Sequence, residues 1–86
     1  MQELTLLRDK INKIDQSLLS LLAQRIAVVR EVGELKKQHN LPIHDPKREE
    51  ELLSMLSQGG TDHHISPEFI RSLWTIIFKE SYKIEK

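Results

Sequence analysis

The sequence predicts an all-α fold of three helices, the first of which is very long. Apolar residues recur at three- and four-residue steps in three separate segments, and no segment alternates cleanly with period two. The prolines and the strongest capping residues lie between these segments. Because the three segments account for nearly all of the 86 residues, we expect one helical domain over residues 1–86.

The first predicted helix runs from about Glu3 to about His39, where Asn40 and Pro42 end it. It contains no proline, and its one glycine, Gly33, costs about 1 kcal/mol relative to alanine. One face of this helix carries a row of apolar residues, which we call the long stripe. The long stripe consists of Leu4, Leu7, Ile11, Ile14, Leu18, Leu21, Val28, Val32 and Leu35.

The second and third predicted helices open with start signals of the same design. Asp45 caps the second helix and Ser66 caps the third, and in each case a proline follows at the first helical position. We expect Gly59 and Gly60 to end the second helix. The apolar faces consist of Leu52, Leu53 and Leu56 in the second helix and of Phe69, Ile70, Leu73, Trp74, Ile76 and Ile77 in the third.

The length of the first helix predicts a partner for it. A helix of about 36 residues is about 54 Å long, whereas a compact monomer of this size is only about 30 Å across. The long stripe would project beyond its own globule, and the two shorter helices cannot cover it. We therefore expect a homodimer in which two long helices pair. The alternative is a kink near Gly33 that folds the first helix back.

The bulk composition excludes several functional classes. Thirteen basic and thirteen acidic side chains cancel, so the chain lacks the positive excess that non-specific binding to nucleic acid or anionic membranes requires. It contains no cysteine, and therefore neither disulfide nor thiolate chemistry. It shows no signal peptide and no apolar run near the roughly 20 residues that cross a bilayer. We expect a cytoplasmic protein.

The four histidines do not form a convincing metal site. His63 and His64 are adjacent in a loop, where neighbouring side chains tend to diverge, and His39 and His44 flank a turn. The chain has no glycine-rich phosphate loop, and no nucleophile stands beside an obvious base. We expect neither a metal nor a cofactor.

A cation interrupts the long stripe. Arg25 occupies a position where the pattern requires an apolar residue, and a cation on a burying face costs several kcal/mol unless an anion meets it. Lys36 follows three turns plus about 20° later, so both cations share one face about 16 Å apart, with Val29 and Val32 between them. They can grip opposite ends of a small dianion, or each can pair with an acid from another helix. The spacing leaves both alternatives open.

Arg8 belongs to a different part of the same helix. It lies seventeen residues before Arg25, which places it about 25 Å away and on another face. The two side chains of one chain therefore cannot touch the same small ligand. If Arg8 serves an anion site, the other groups of that site come mostly from the partner chain. Otherwise Arg8 is a solvated surface residue.

Polar residues also border the other two apolar faces. Asp45 is most simply an N-cap, while Arg48 and Glu49 can supply an anion clamp and a hydroxyl acceptor. As an alternative, they form a surface pair worth at most about 1 kcal/mol. Ser81 and Glu85 continue the apolar face of the third helix, which suits the wall of a site. Fraying of the chain end is the alternative there.

Taken together, these residues resemble the all-helical chorismate mutase family. The resemblance spans essentially the whole chain, in order and without a disruptive gap, and its first and last runs are most similar to the mutase domain fused to prephenate dehydrogenase in some bacteria. The chain stops where such a domain would end, so we expect a free-standing or an excised mutase. The matching runs are Leu7–Ile11, Leu21–Arg25, Val32–Lys36, Pro42–Glu49 and Glu80–Glu85.

The resemblance implies an intertwined homodimer with two equivalent sites that rearranges chorismate to prephenate, on the way to phenylalanine and tyrosine. It also implies a role for eight residues. Arg25, Arg48 and Lys36 would contact the substrate carboxylates or the ether oxygen, Arg8 would come from the partner chain, Asp45 and Glu49 would hold the ring hydroxyl region, and Ser81 and Glu85 would complete the wall.

Glu85 departs from part of the family, in which a glutamine at this position donates a hydrogen bond to the ether oxygen. An ionised glutamate has no proton to donate and repels a dianion. We therefore predict that Glu85 acts in its protonated form, which burial and the bound dianion favour, although Lys36 nearby acts in the opposite direction.

Three other functions are compatible with the sequence. An isochorismate pyruvate-lyase shares the fold and a similar cationic site. A non-catalytic mutase-like domain, of the kind fused to the enzyme that opens the shikimate pathway, would bind prephenate and dimerise without much turnover. A purely structural helical dimer is the third alternative.

Overall fold

The computed structural model describes all 86 residues and contains three α-helices and no strand. Helix α1 spans Gln2–Gln38, helix α2 spans Pro46–Asp62 and helix α3 spans Pro67–Glu85. The predicted all-α fold class is confirmed. No membrane-spanning segment is found among the three helices, because none combines sufficient length with sufficient apolarity.

Helix α1 is continuous over 37 residues and passes through Gly33 without a break. The fold-back alternative is therefore wrong. Helix α1 ends at the expected place, where Asn40 adopts a left-handed backbone conformation with φ of 54°. The chain measures 57 × 24 × 16 Å and has a radius of gyration of 16.4 Å, well above the value of about 12 Å for a compact chain of this length.

The predicted start signals of α2 and α3 operate as expected. The Asp45 carboxylate accepts a hydrogen bond from the Arg48 backbone N–H at 3.2 Å, and the Ser66 hydroxyl accepts one from the Phe69 backbone N–H at 3.1 Å. A proline occupies the first turn of each helix, where its missing N–H removes no hydrogen bond. Local sequence thus determines where both helices begin.

The predicted end of α2 at Gly59 and Gly60 is wrong, because the helix continues to Asp62. Neither glycine has a positive φ, so neither terminates the helix. Gly60 is buried, and a Cβ atom there would lie 2.7 Å from Cγ1 of Ile70 on α3. The glycine therefore serves close packing of α2 against α3. His64, with φ of 60°, turns the chain instead.

Helix α3 is the central element of the chain. It packs against both α1 and α2, whereas α1 and α2 do not pack against each other. The buried apolar core is correspondingly small and consists of Leu53, Ile70 and Phe78, each 6% exposed. Helix α3 therefore sets the position of α2 relative to α1.

The long stripe of α1 remains uncovered within the chain. All nine of its residues are exposed, with Val32 the least exposed at 38% and Ile14 the most at 60%. Every residue from Met1 to Gln24 is exposed. A row of large apolar side chains this long costs free energy in water, at about 25 cal/mol per Å² of apolar surface. The stripe therefore requires a cover that one chain does not provide.

Gly33 allows α3 to approach α1 very closely. It is the only buried residue of α1. A Cβ atom at this position would lie 2.9 Å from both the Cα atom and the carbonyl oxygen of Glu85. These are backbone atoms, so a side chain at position 33 requires the end of α3 to shift. The absence of a side chain at Gly33 therefore determines where Glu85 lies.

We predict opposite effects on stability for alanine at two helical glycines. Gly59 has open space at its Cβ position, so Gly59→Ala gains helix propensity and raises the free energy of unfolding by up to about 1 kcal/mol. Gly33→Ala gains the same propensity but forces the α1–α3 contact apart, at a cost of about 1–3 kcal/mol, and lowers the net stability. Urea unfolding measures both. Equal stabilisation by the two substitutions would contradict the close contact.

Candidate active site

A cavity of about 360 Å³ lies where residues of all three helices face one another. It is lined by seven of the eight residues that the sequence singled out, namely Arg25, Lys36, Asp45, Arg48, Glu49, Ser81 and Glu85. The other lining residues are Val29, Val32, Leu52, Phe78 and Tyr82. Residues far apart in the sequence thus meet at one concave surface, as ligand sites require.

Arg8 is the one predicted site residue that lies elsewhere. It is exposed near the start of α1 and does not line the cavity. Its separation of seventeen residues from Arg25 along a straight helix corresponds to about 25 Å. Within one chain, Arg8 and Arg25 therefore belong to different surfaces.

Arg25 is half-buried and makes no ion pair within the chain. Its guanidinium donates a hydrogen bond to the hydroxyl of Ser81, and its Cζ atom lies 6.0 Å from the centre of the Phe78 ring. Ser81 in turn donates to the carbonyl oxygen of Ile77 at 2.8 Å. Of the two alternatives for Arg25, a structural ion pair within the chain is excluded. A positive charge is held in place with no anion to neutralise it.

Lys36, unlike Arg25, pairs with an acid from another helix. Its ammonium forms an ion pair with the Glu85 carboxylate and donates to the Ile43 carbonyl oxygen at 2.8 Å. The Lys36 side chain is 19% exposed and that of Glu85 is 5% exposed. The two cations on the same face of α1 therefore differ, because Lys36 is neutralised and Arg25 is not.

The first turn of α2 contributes three residues to the cavity. Asp45 is the N-cap that the sequence predicts. The Arg48 guanidinium is exposed and makes neither an ion pair nor a hydrogen bond, so Arg48 and Glu49 do not form the surface pair considered above. Glu49 is half-buried and accepts a hydrogen bond from the hydroxyl of Tyr82 at 3.1 Å.

The end of α3 is ordered and contributes the third wall. Ser81 is 7% exposed and Glu85 is 5% exposed, and both lie within the helix. The fraying alternative is therefore wrong for these residues. Their burial depends on the close approach of α3 to α1 at Gly33.

Sequence reasoning missed two aromatic residues of the cavity. Phe78 lies under Arg25, and the ring centre of Tyr82 lies 4.4 Å from that of His44 with the rings tilted by 42°. Burial raises the pKa of the Tyr82 hydroxyl; the backbone of Asp45 lowers it, and the Glu49 carboxylate raises it further. Tyr82 therefore remains a neutral donor at pH 7. Phe78 and Tyr82 lie seven and three residues before Glu85, so they share a helix face with it. This spacing was the signal in the sequence that could have identified them as cavity residues.

The electrostatics of the cavity suit an anionic ligand. The guanidiniums of Arg25 and Arg48 have no acidic partner, and guanidiniums bind carboxylates through paired hydrogen bonds. The lining includes no histidine or cysteine, and the Ser81 hydroxyl is already engaged with Arg25 and Ile77. No three His, Cys, Asp or Glu side chains come together to hold a metal ion. The arrangement can restrain an anion and stabilise developing negative charge.

Comparison with known proteins supports a specific family. The model of the family described as chorismate mutase type II matches residues 7–86. The chain is 40% identical to the T-protein of Enterobacter agglomerans over an alignment of 83 residues. This alignment covers 96% of this chain and 22% of that protein. It is 39% identical over 75 residues to the bifunctional chorismate mutase/prephenate dehydratase of Escherichia coli K12, covering 87% of this chain and 19% of that protein.

A solved structure agrees with these sequence relationships. Form II of chorismate mutase from Thermus thermophilus superposes with a TM-score of 0.89 at 36% identity, covering 96% of this chain and 93% of that one. The chain spans about a fifth of the length of the curated relatives it matches, but nearly all of this solved structure. Family match, sequence identity and fold agree, and this chain belongs to the chorismate mutase type II family.

Proposed function

We propose that this chain catalyses the rearrangement of chorismate to prephenate in the biosynthesis of phenylalanine and tyrosine. The observation that carries the proposal is the pair of unneutralised guanidiniums, Arg25 and Arg48, facing one cavity with Lys36. Chorismate carries two carboxylates, and two fixed guanidiniums suit such a dianion. Membership of the chorismate mutase family supports the same reaction.

The reaction needs little from a protein beyond shape and charge. In a single pericyclic step, the bond between the ether oxygen and the ring carbon breaks as a new carbon–carbon bond forms. No proton transfer, nucleophile or metal takes part. The protein must hold a flexible dianion in the chair-like reactive conformation and stabilise the charge that accumulates on the ether oxygen.

The residues of the cavity divide these tasks. We assign Arg25 and Arg48 to the carboxylates. Val29 and Val32 form the apolar wall between Arg25 and Lys36. We assign the ammonium of Lys36 to the ether oxygen. Its hydrogen bond to the Ile43 carbonyl oxygen, at 2.8 Å, orients the ammonium before substrate binds, and an oriented donor costs no reorganisation during the reaction.

The experiment that tests the function follows chorismate absorbance with the purified protein and identifies the product. Prephenate as the product supports the proposal. Salicylate with pyruvate from isochorismate would indicate the lyase instead. Absence of turnover with both substrates would indicate a regulatory or structural helical domain.

We further propose that the active form is a homodimer in which Arg8 of one chain completes the site of the other. Two observations support this assembly. The long stripe is exposed over all nine residues, and α1, with 37 residues, is the one helix long enough to cover another α1. Arg8 lies about 25 Å from Arg25 of its own chain, so only a partner chain can bring it to the cavity.

We predict complementation between two inactive variants. Arg8→Ala and Arg25→Ala remove different parts of the shared site, so one site of a mixed dimer loses both groups and the other keeps both. Mixed chains should recover activity in proportion to the heterodimer fraction, to about one intact site per heterodimer. The measurement is prephenate formation after refolding the two chains together. Heterodimers that form without any recovery would contradict the shared site.

The charges of the cavity bear on the protonation of Glu85. The cavity has three cations and three acids, Asp45, Glu49 and Glu85, so its net formal charge in one chain is zero although only Lys36 makes an ion pair. Arg8 of the partner would add one positive charge. Protonation of Glu85 would add a second, which matches a dianion, and would release Lys36 from its ion pair. We therefore infer that Glu85 acts in its protonated form.

We predict that Glu85→Gln keeps or increases the rate of prephenate formation. The amide has nearly the same size as the carboxyl group, supplies a permanent hydrogen-bond donor and releases Lys36 from its ion pair. Glu80→Gln is the matched control, because Glu80 is exposed on the same helix, and it should leave the rate unchanged. A loss of about tenfold or more in kcat for Glu85→Gln alone would contradict the proposal.

A further inference from the structure

Helix α2 carries two charged site residues but does not pack against α1, which carries two others. Arg48 and Glu49 lie on α2, while Arg25 and Lys36 lie on α1, and α1 and α2 do not pack against each other. Helix α3 packs against both. Packing of α2 on α3 and the Lys36 hydrogen bond to Ile43, just before α2, therefore place the two halves of the cavity, and contacts of α3 with the start of α2 set its local geometry.

Tyr82 makes these contacts from two sides. Its ring lies against the ring of His44, just before the N-cap of α2, with 4.4 Å between ring centres. Its hydroxyl donates to Oε2 of Glu49 at 3.1 Å. This is the one hydrogen bond that the Glu49 side chain makes to the protein, so the second carboxylate oxygen is left to accept from a ligand.

We propose that Tyr82 is a positioning residue that orients the Glu49 carboxylate toward the ring hydroxyl of the substrate. The inference rests on the proposed function, since it concerns the same cavity and the same ligand. Without the Tyr82 hydroxyl, the Glu49 side chain is free to rotate, and ordering it on binding costs free energy. Tyr82 acts on the ligand through Glu49 and takes no part in the bond changes.

The kinetic test uses Tyr82→Phe, which keeps the ring against His44 and removes only the hydroxyl. The hydroxyl of the substrate is held equally in the bound state and in the transition state, so losing this contact weakens both equally. We expect KM for chorismate to rise about tenfold with kcat within about twofold of wild type. Thr75→Val is the matched control: it removes an exposed hydroxyl from the same helix, outside the cavity, and should leave KM unchanged.

A merely structural role for Tyr82 gives a different result. Loss of folded protein lowers the apparent kcat and the melting temperature but leaves KM unchanged, and that outcome would overturn the inference. A double-mutant cycle adds a second criterion. If Tyr82 acts through Glu49, Tyr82→Phe should raise KM less than about twofold in a Glu49→Ala background. A full tenfold effect in that background would also overturn the inference.

A spectroscopic titration separates this inference from the proposed function. Tyr82 is the single tyrosine of the chain, so the absorbance change of phenol ionisation reports on this side chain alone. The Glu49 carboxylate raises the pKa of Tyr82, and Glu49→Gln should therefore shift the titration to lower pH. An unshifted titration would show that the contact is absent. If the wild type consumes no chorismate, the proposed function and the kinetic role fail together, while the titration still decides the contact.

Discussion

The unneutralised charge of Arg25 on an apolar helix face is the constraint on which the rest of the site depends. A half-buried guanidinium without an acid is costly, and this chain gives it only the Ser81 hydroxyl and the face of the Phe78 ring. Both partners leave the charge intact. The chain therefore maintains a fixed cation at the edge of a cavity with mixed charged and apolar walls, which is the arrangement that a small carboxylate ligand would complete.

Helix α3 connects this cation to the rest of the cavity. Its close approach at Gly33 places Glu85 against Lys36, and its tyrosine reaches Glu49 on α2. A single helix thus packs against both α1 and α2, which do not pack against each other. Geometry of this kind is sensitive to small displacements, because a displacement of about 1 Å in a catalytic group can lower the rate about a hundredfold.

The sequence was sufficient for the parts of the structure that local chemistry determines. Asp45 and Ser66 cap helices as predicted, since capping involves only neighbouring residues. Polar residues on or beside apolar faces, together with the family resemblance, also indicated seven of the twelve cavity residues. The predicted end of α2 was wrong because Gly60 allows close packing against Ile70 on α3, and the local sequence does not show that contact. Tyr82 was missed because an aromatic residue near an apolar face is indistinguishable from core, and the unequal pairing of Arg25 and Lys36 depends on where α3 crosses α1.

The substitution Arg25→Leu distinguishes an arginine retained for a dianion from one retained for the fold. Leucine fits the apolar pattern of α1, and Ser81 keeps its hydrogen bond to the Ile77 carbonyl. Prephenate affinity by calorimetry and the free energy of unfolding should be measured on the same preparation. We expect stability at least equal to wild type, with prephenate affinity reduced about a hundredfold or more. Unchanged affinity combined with a loss of several kcal/mol in stability would show that Arg25 is structural.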